Sequence, residues 1–75
     1  MSDVVIKCIE LKNYMKTSQQ AYRKRAAEAT GKELTKIRQS EMELCISCTQ
    51  TFNTLLETAS EDEKLRLRRI YAGLE

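Results

Sequence analysis

Seventy-five residues carrying 13 Lys+Arg against 11 Asp+Glu, a net charge of +2, make at most one domain with a thin core, since so short a chain buries only about 60% of its unfolded surface. The near balance of charge excludes a surface dominated by either sign. The lack of proline and the presence of only two glycines, Gly31 and Gly73, exclude a turn-rich β-sandwich or barrel and favour a few long helices built from good helix formers.

The first helix is expected over about 3–30. Val4, Cys8, Leu11, Met15, Ser18, Tyr22, Ala26 and Ala29 recur at alternating steps of three and four, which places them on one stripe. Ser2 or Asp3 caps its start, and Val5 and Ile9 widen the stripe there. A rival reading makes Val4 to Ile9 a β-branched strand, but a lone strand has nothing to pair with.

The second helix is expected over about 32–58. Its stripe is Leu34, Ile37, Glu41, Leu44, Cys48, Phe52 and Leu55, broadened by Met42, Cys45, Ile46 and Leu56. The phase of the first stripe does not carry into the second, so the helices are separate. The break falls at Thr30-Gly31, where glycine tolerates the left-handed conformation that ends a helix and Thr30 with Glu33 fits a T-x-x-E capping box. A tight antiparallel hairpin follows.

The third helix, over about 61–74, has the clearest start. Ser60-Glu61-Asp62-Glu63 is an S-x-x-E box with three acids in the first turn, where the helix dipole favours them. Leu67, Ile70, Tyr71 and Leu74 form its apolar face. Arg66, Arg68 and Arg69 make a solvated cationic strip, with Asp62 and Arg66 spaced as an i, i+4 pair.

The expected fold is therefore all-α, one domain over residues 1–75, a helical hairpin plus a shorter C-terminal helix. At about 21 Å, the third helix falls short of the hairpin arms, about 39 Å long. Folding back from residue 60, it leaves the stripe near the tip (Tyr22, Ala26, Ala29, Leu34, Ile37) without a third layer. Exposed apolar surface of this kind marks an interface, so these five residues are the candidate oligomer contact and a two-fold dimer forming a larger bundle is expected.

Cys45-Ile46-Ser47-Cys48 is a C-x-x-C, but it lies inside a helix. A closed zinc site takes four ligands, and the chain offers one further cysteine and no histidine. A turn at Gly31 makes the numbers of facing residues total about 62, which sets Cys8 roughly 9 Å along the axis from the C-x-x-C. The thiols are read as small apolar packing residues; neither metal nor cofactor is expected. Three cysteines with no secretory leader argue against a disulfide framework. The run after Met1-Ser2-Asp3 is broken by Lys7 and Glu10, so neither a signal peptide nor a membrane span is expected, and the default compartment is the reducing cytoplasm.

Glu41 on an otherwise apolar stripe needs a partner if it is buried, and Tyr22 or Arg25 is the expected one. The polar row Ser40, Ser47, Thr49, Thr51, Thr54 and Thr58 suits either water or a partner. From Arg23 to Arg38 there are six cations, Arg23, Lys24, Arg25, Lys32, Lys36 and Arg38, against Glu28 and Glu33, which gives +4 there and leaves −2 for the rest. Cations at the end of the first helix suit its dipole, whereas Lys32 and Lys36 at the start of the second oppose it. These six are the candidate contacts to an anionic partner.

Without histidine a nucleophile–base pair is hard to build, and no glycine-rich phosphate loop is present, so an enzyme is not expected. The leading expectation is a small interaction or regulatory protein acting as a homo-oligomer, with a protein partner. The alternatives are a nucleic-acid-binding module using the basic tip and an oligomeric binder of a small anionic ligand.

Overall fold

Caps and glycines divide the chain where the periodicity breaks. The computed structural model describes residues 2–75 and contains α1 (Asp3–Glu28), α2 (Gly31–Thr58) and α3 (Glu61–Tyr71). The Ser2 hydroxyl accepts the Val5 N–H at 3.4 Å, with Asp3 in the first turn. The segment Val4 to Ile9 is helical, so the strand alternative falls.

The hairpin turn differs in detail from its expected form. Helix α1 stops at Glu28, and Ala29 and Thr30 are extended. Gly31 does take a left-handed φ of +61°, but as the first residue of α2 rather than the last of α1. Thr30 makes no side-chain capping bond. A capping box needs right-handed backbone from the first helical position onward, and the left-handed Gly31 swings the Glu33 amide away from the Thr30 hydroxyl. Gly31 has open space around its α-carbon, so the need for glycine here is one of backbone angle rather than room.

Helix α3 begins with the expected box: Ser60 N–H donates to Glu63 Oε1 at 2.9 Å and Glu63 N–H donates to Ser60 Oγ at 3.2 Å. The Ser2 hydroxyl, followed by the backbone and hydroxyl of Ser60, holds the Glu63 carboxyl below the usual carboxylate range. Because its folded value is depressed, Glu63 stabilises the fold above the ordinary pKa of about 4.3 and loses that effect as the pH falls through the lowered value. Glu63→Gln is accordingly expected to lower the urea midpoint at neutral pH, with the gap to wild type closing under acid; a gap independent of pH would contradict this.

The helix ends three residues earlier than its apolar spacing suggests. Gly73 has φ +80°, its N–H donates to Ile70 O at 3.0 Å, and the Leu74 N–H donates to Arg69 O at 2.9 Å. This pair of bonds is a Schellman stop. Leu74 therefore lies beyond the helix, 72% exposed, and is not part of its apolar face.

Every member of the two long stripes is buried or half-buried. Helix α1 packs on α2 along the hairpin and on α3 at its N-terminal end. The core sits at the hairpin's open end, where Val5, Cys8, Phe52, Leu67 and Ile70 cluster. Leu67 and Cys8 are fully enclosed, and the Cys8 thiol points at the Leu67 carbonyl, 3.8 Å away. Tyr71, the last residue of α3, stacks on Phe52 with ring centroids 4.2 Å apart and planes at 15°. Its hydroxyl donates to Met15 Sδ at 3.4 Å, and its carbonyl accepts from Lys12 Nζ at 2.7 Å.

At 11 residues, α3 spans about 16 Å, while the arms run about 39–42 Å. The molecule is accordingly elongated, 46 × 19 × 16 Å, with three helices at one end and two at the other. No helix among the described residues is long and apolar enough to cross a membrane.

Candidate interaction surface

Beyond the end of α3 the hairpin seam is closed by polar contacts. Lys12, Gln19 and Arg23 follow one stripe of α1, and Glu41, Cys45 and Phe52 one stripe of α2. Gln19 Nε2 donates to Cys45 Sγ at 3.2 Å, and Arg23 Nε pairs with Glu41 Oε1 at 3.4 Å. The numbers of each facing pair total 64 rather than 62. That shift brings Arg23 to Glu41, in place of the expected Tyr22 or Arg25. Arg25 lies instead over the Tyr22 ring, 6.0 Å from its centroid.

The five apolar residues expected at an open interface near the tip are placed differently. Ala29 and Ile37 are 8% and 4% exposed, and Tyr22, Ala26 and Leu34 are half-buried. The packing of α1 on α2 covers them within the hairpin, without a third layer. The open apolar surface lies elsewhere. Met42 and Ile46, expected to broaden the packed face of α2, are 63% and 53% exposed. With Cys45, Thr49 and Gln50 they line a shallow depression on the outer side of α2. Sequence reasoning missed this because Met42 and Ile46 were counted as broadening the packed stripe of α2, and α3 is too short to cover them.

The six tip cations, Arg23, Lys24, Arg25, Lys32, Lys36 and Arg38, are all exposed. The structure gathers them at the hairpin end from both arms. Lys24, Arg25, Lys32, Lys36 and Arg38 have no carboxylate partner among the described residues. Arg23 does, in Glu41, whose side chain is 23% exposed.

The thiols face inward, whereas the threonines are exposed and turn their hydroxyls back onto their own helix. Cys48 is 3% exposed, Cys45 half-buried, and all three cysteines are free. Burial raises the pKa of Cys8, which Lys12 partly offsets, and burial with the neighbouring Cys45 raises that of Cys48. Thiolate chemistry at these two positions is correspondingly suppressed. Thr49, Thr51 and Thr54 donate their hydroxyls to carbonyls four residues back, at 2.9–3.1 Å, and Thr58 donates to Leu55 O at 3.0 Å. These hydroxyls are taken up by their own helix, which leaves them with little to offer a partner.

No family model matches the chain, and searches of curated proteins and of solved structures also give no match.

Proposed function

We propose that this chain is a small, non-enzymatic interaction protein that works as a homo-oligomer through surface contacts and regulates a protein partner by binding it. The carrying observation is the exposed apolar pair Met42 and Ile46 in the middle of the two-helix part of the molecule, beyond the reach of α3. Covering such side chains against another chain removes apolar area from water, at about 25 cal/mol per Å². The sequence holds no histidine, so the commonest general base is lacking. The free thiols suit a reducing, cytoplasmic setting.

A second reading, nucleic-acid binding through the hairpin tip, is favoured by the five cations without carboxylate partners. A small anionic ligand held between subunits would use the same charges. Salt separates these readings. Contact through apolar surface changes little between about 50 mM and about 200 mM salt, whereas binding through several phosphates falls by orders of magnitude.

The test is sedimentation velocity on the full chain from low to high micromolar concentration at both salt levels, with and without a labelled oligonucleotide. Self-association that rises with protein concentration is expected. A monomer throughout would refute the homo-oligomer. Oligonucleotide binding that Lys24→Glu with Lys36→Glu abolishes would put the tip reading first.

A further inference from the structure

The turn Cys45-Ile46-Ser47-Cys48 lies in the middle of α2, and its two thiols have different surroundings. Cys48 is buried, 3% exposed. Cys45 is half-buried and stands at the edge of the hairpin seam. On one side its sulfur accepts from Gln19 Nε2 at 3.2 Å. On the other it lines the shallow open depression with Met42, Ile46, Thr49 and Gln50. A small solute can therefore reach Cys45, whereas Cys8 and Cys48 are enclosed. Burial also raises the pKa of Cys8 and of Cys48, which leaves little thiolate at either position to react.

The two thiols of the turn are also neighbours. Residues three apart on a helix share a face, with Cα atoms about 5 Å apart and Cβ atoms about 5–6 Å apart. The charge on Cys45 is felt at Cys48. A disulfide takes Cα atoms about 4.4–6.8 Å apart and Cβ atoms about 3.5–4.5 Å apart. The first spacing is met by the helix as it stands. The second requires the Cβ atoms to close by about 1–2 Å, which distorts one helical turn and makes the bond strained and readily reduced. Cys8 is out of reach. In the register that pairs Gln19 with Cys45 it lies opposite Leu56, about 12 Å along the axis from Cys48. No group of three metal-binding side chains gathers around these thiols among the described residues.

We propose that Cys45 is a peroxide-sensitive thiol and that Cys48 traps its oxidised form as a disulfide within one turn of α2. The Cys45 thiolate attacks one oxygen of hydrogen peroxide. The O–O bond breaks, sulfur gives up two electrons, one oxygen stays on sulfur as a sulfenic acid, and the other leaves as water. The Cys48 sulfur then attacks the Cys45 sulfur. The S–S bond forms, the S–O bond breaks, and the departing oxygen takes the Cys48 proton and leaves as a second water. In sum, two thiols and one peroxide give one disulfide and two waters. Proximity carries the second step despite the burial of Cys48, because a thiol one turn away acts at an effective concentration that no thiol in solution reaches. A dithiol reverses the change by exchange. This inference stands independently of the homo-oligomer reading, but a chain covering Met42 and Ile46 would also shield Cys45, so the test uses low micromolar protein.

The experiment treats the reduced full chain with a large excess of hydrogen peroxide, as wild type, Cys45→Ser and Cys48→Ser, with circular dichroism to verify that each is helical. Intact mass and alkylation of the remaining thiols follow the reaction. Wild type is expected to lose about 2 Da and two of its three free thiols, to keep Cys8 free, and to regain its mass with dithiothreitol. The loss should fall within the single tryptic peptide 39–64, which holds both cysteines of the turn. Cys48→Ser should stop at a sulfenic acid on Cys45, captured by a 1,3-diketone probe. Cys45→Ser should react about tenfold more slowly or less. Wild type that stays fully reduced, or a Cys45→Ser chain oxidised as fast as wild type, would overturn Cys45 as the reactive thiol. A wild type that accumulates sulfenic acid without losing about 2 Da, or a disulfide that takes in Cys8 or joins two chains, would overturn Cys48 as the trap.

Discussion

Leu67→Ala is expected to lower the melting temperature by roughly 10–30 °C. Leu67 is fully enclosed among Val5, Cys8, Phe52 and Ile70. Truncating such a leucine costs about 2–5 kcal/mol, through lost burial and the cavity left behind. A chain of this size has a total stability of only about 4–11 kcal/mol, and each kcal/mol moves the midpoint of so small a domain by about 4–8 °C. The site has little means of collapsing, because Leu67 is the residue by which α3 reaches between the ends of α1 and α2. Loss of α3 would uncover Val5, Cys8 and Phe52 together, so the variant should lose more helix on warming than the 11 residues of α3. Thermal melting followed by circular dichroism reads both effects. A midpoint within about 4 °C of wild type would show that the open-end cluster is not what holds the chain together.

Tyr71→Ala is expected to cost about 2–4 kcal/mol, read as a fall in the urea midpoint. Tyr71 joins the last turn of α3 to both arms: its ring stacks on Phe52 of α2, and its hydroxyl reaches Met15 of α1. Lys12 adds a hydrogen bond to the Tyr71 carbonyl and sits 5.5 Å from the ring centroid. Burial raises the pKa of the phenol, in keeping with a ring held against apolar neighbours. Tyr71→Phe divides the effect. It keeps the stacked ring and loses the hydroxyl's weak bond to the Met15 sulfur and its interaction with Thr49, so a change of about 1 kcal/mol is expected. If the phenylalanine variant were as unstable as the alanine one, the hydroxyl, not the ring, would be the anchor.

Helix content and the packed stripes are local matters, and they were legible. Val4 to Ala29 and Leu34 to Leu55 bury as their spacing requires, because a side chain's direction around a helix follows from its number. The Ser60–Glu63 box was legible for the same reason, since every atom in it lies within one turn. The box at Thr30 was not, because its geometry depends on the sign of a single angle at Gly31, and the T-x-x-E spacing does not encode that. Gly73 was passed over as a stop because Leu74 continued the apolar spacing; the left-handed glycine outweighs one exposed leucine.

The candidate surface depended on how far each helix reaches. The sequence by itself determined three helices, their inner faces, a short third member and a positive hairpin tip, since periodicity, capping and charge act over a few residues. Tertiary structure alone decided that the tip arms close on each other through Ala29 and Ile37, that Arg23 finds Glu41, and that Met42 and Ile46 are left outside. Those outcomes follow from the register between two helices and from the side of the hairpin on which α3 lies. Both are set by contacts among residues far apart in the chain, where many small packing terms compete and no single residue carries the answer.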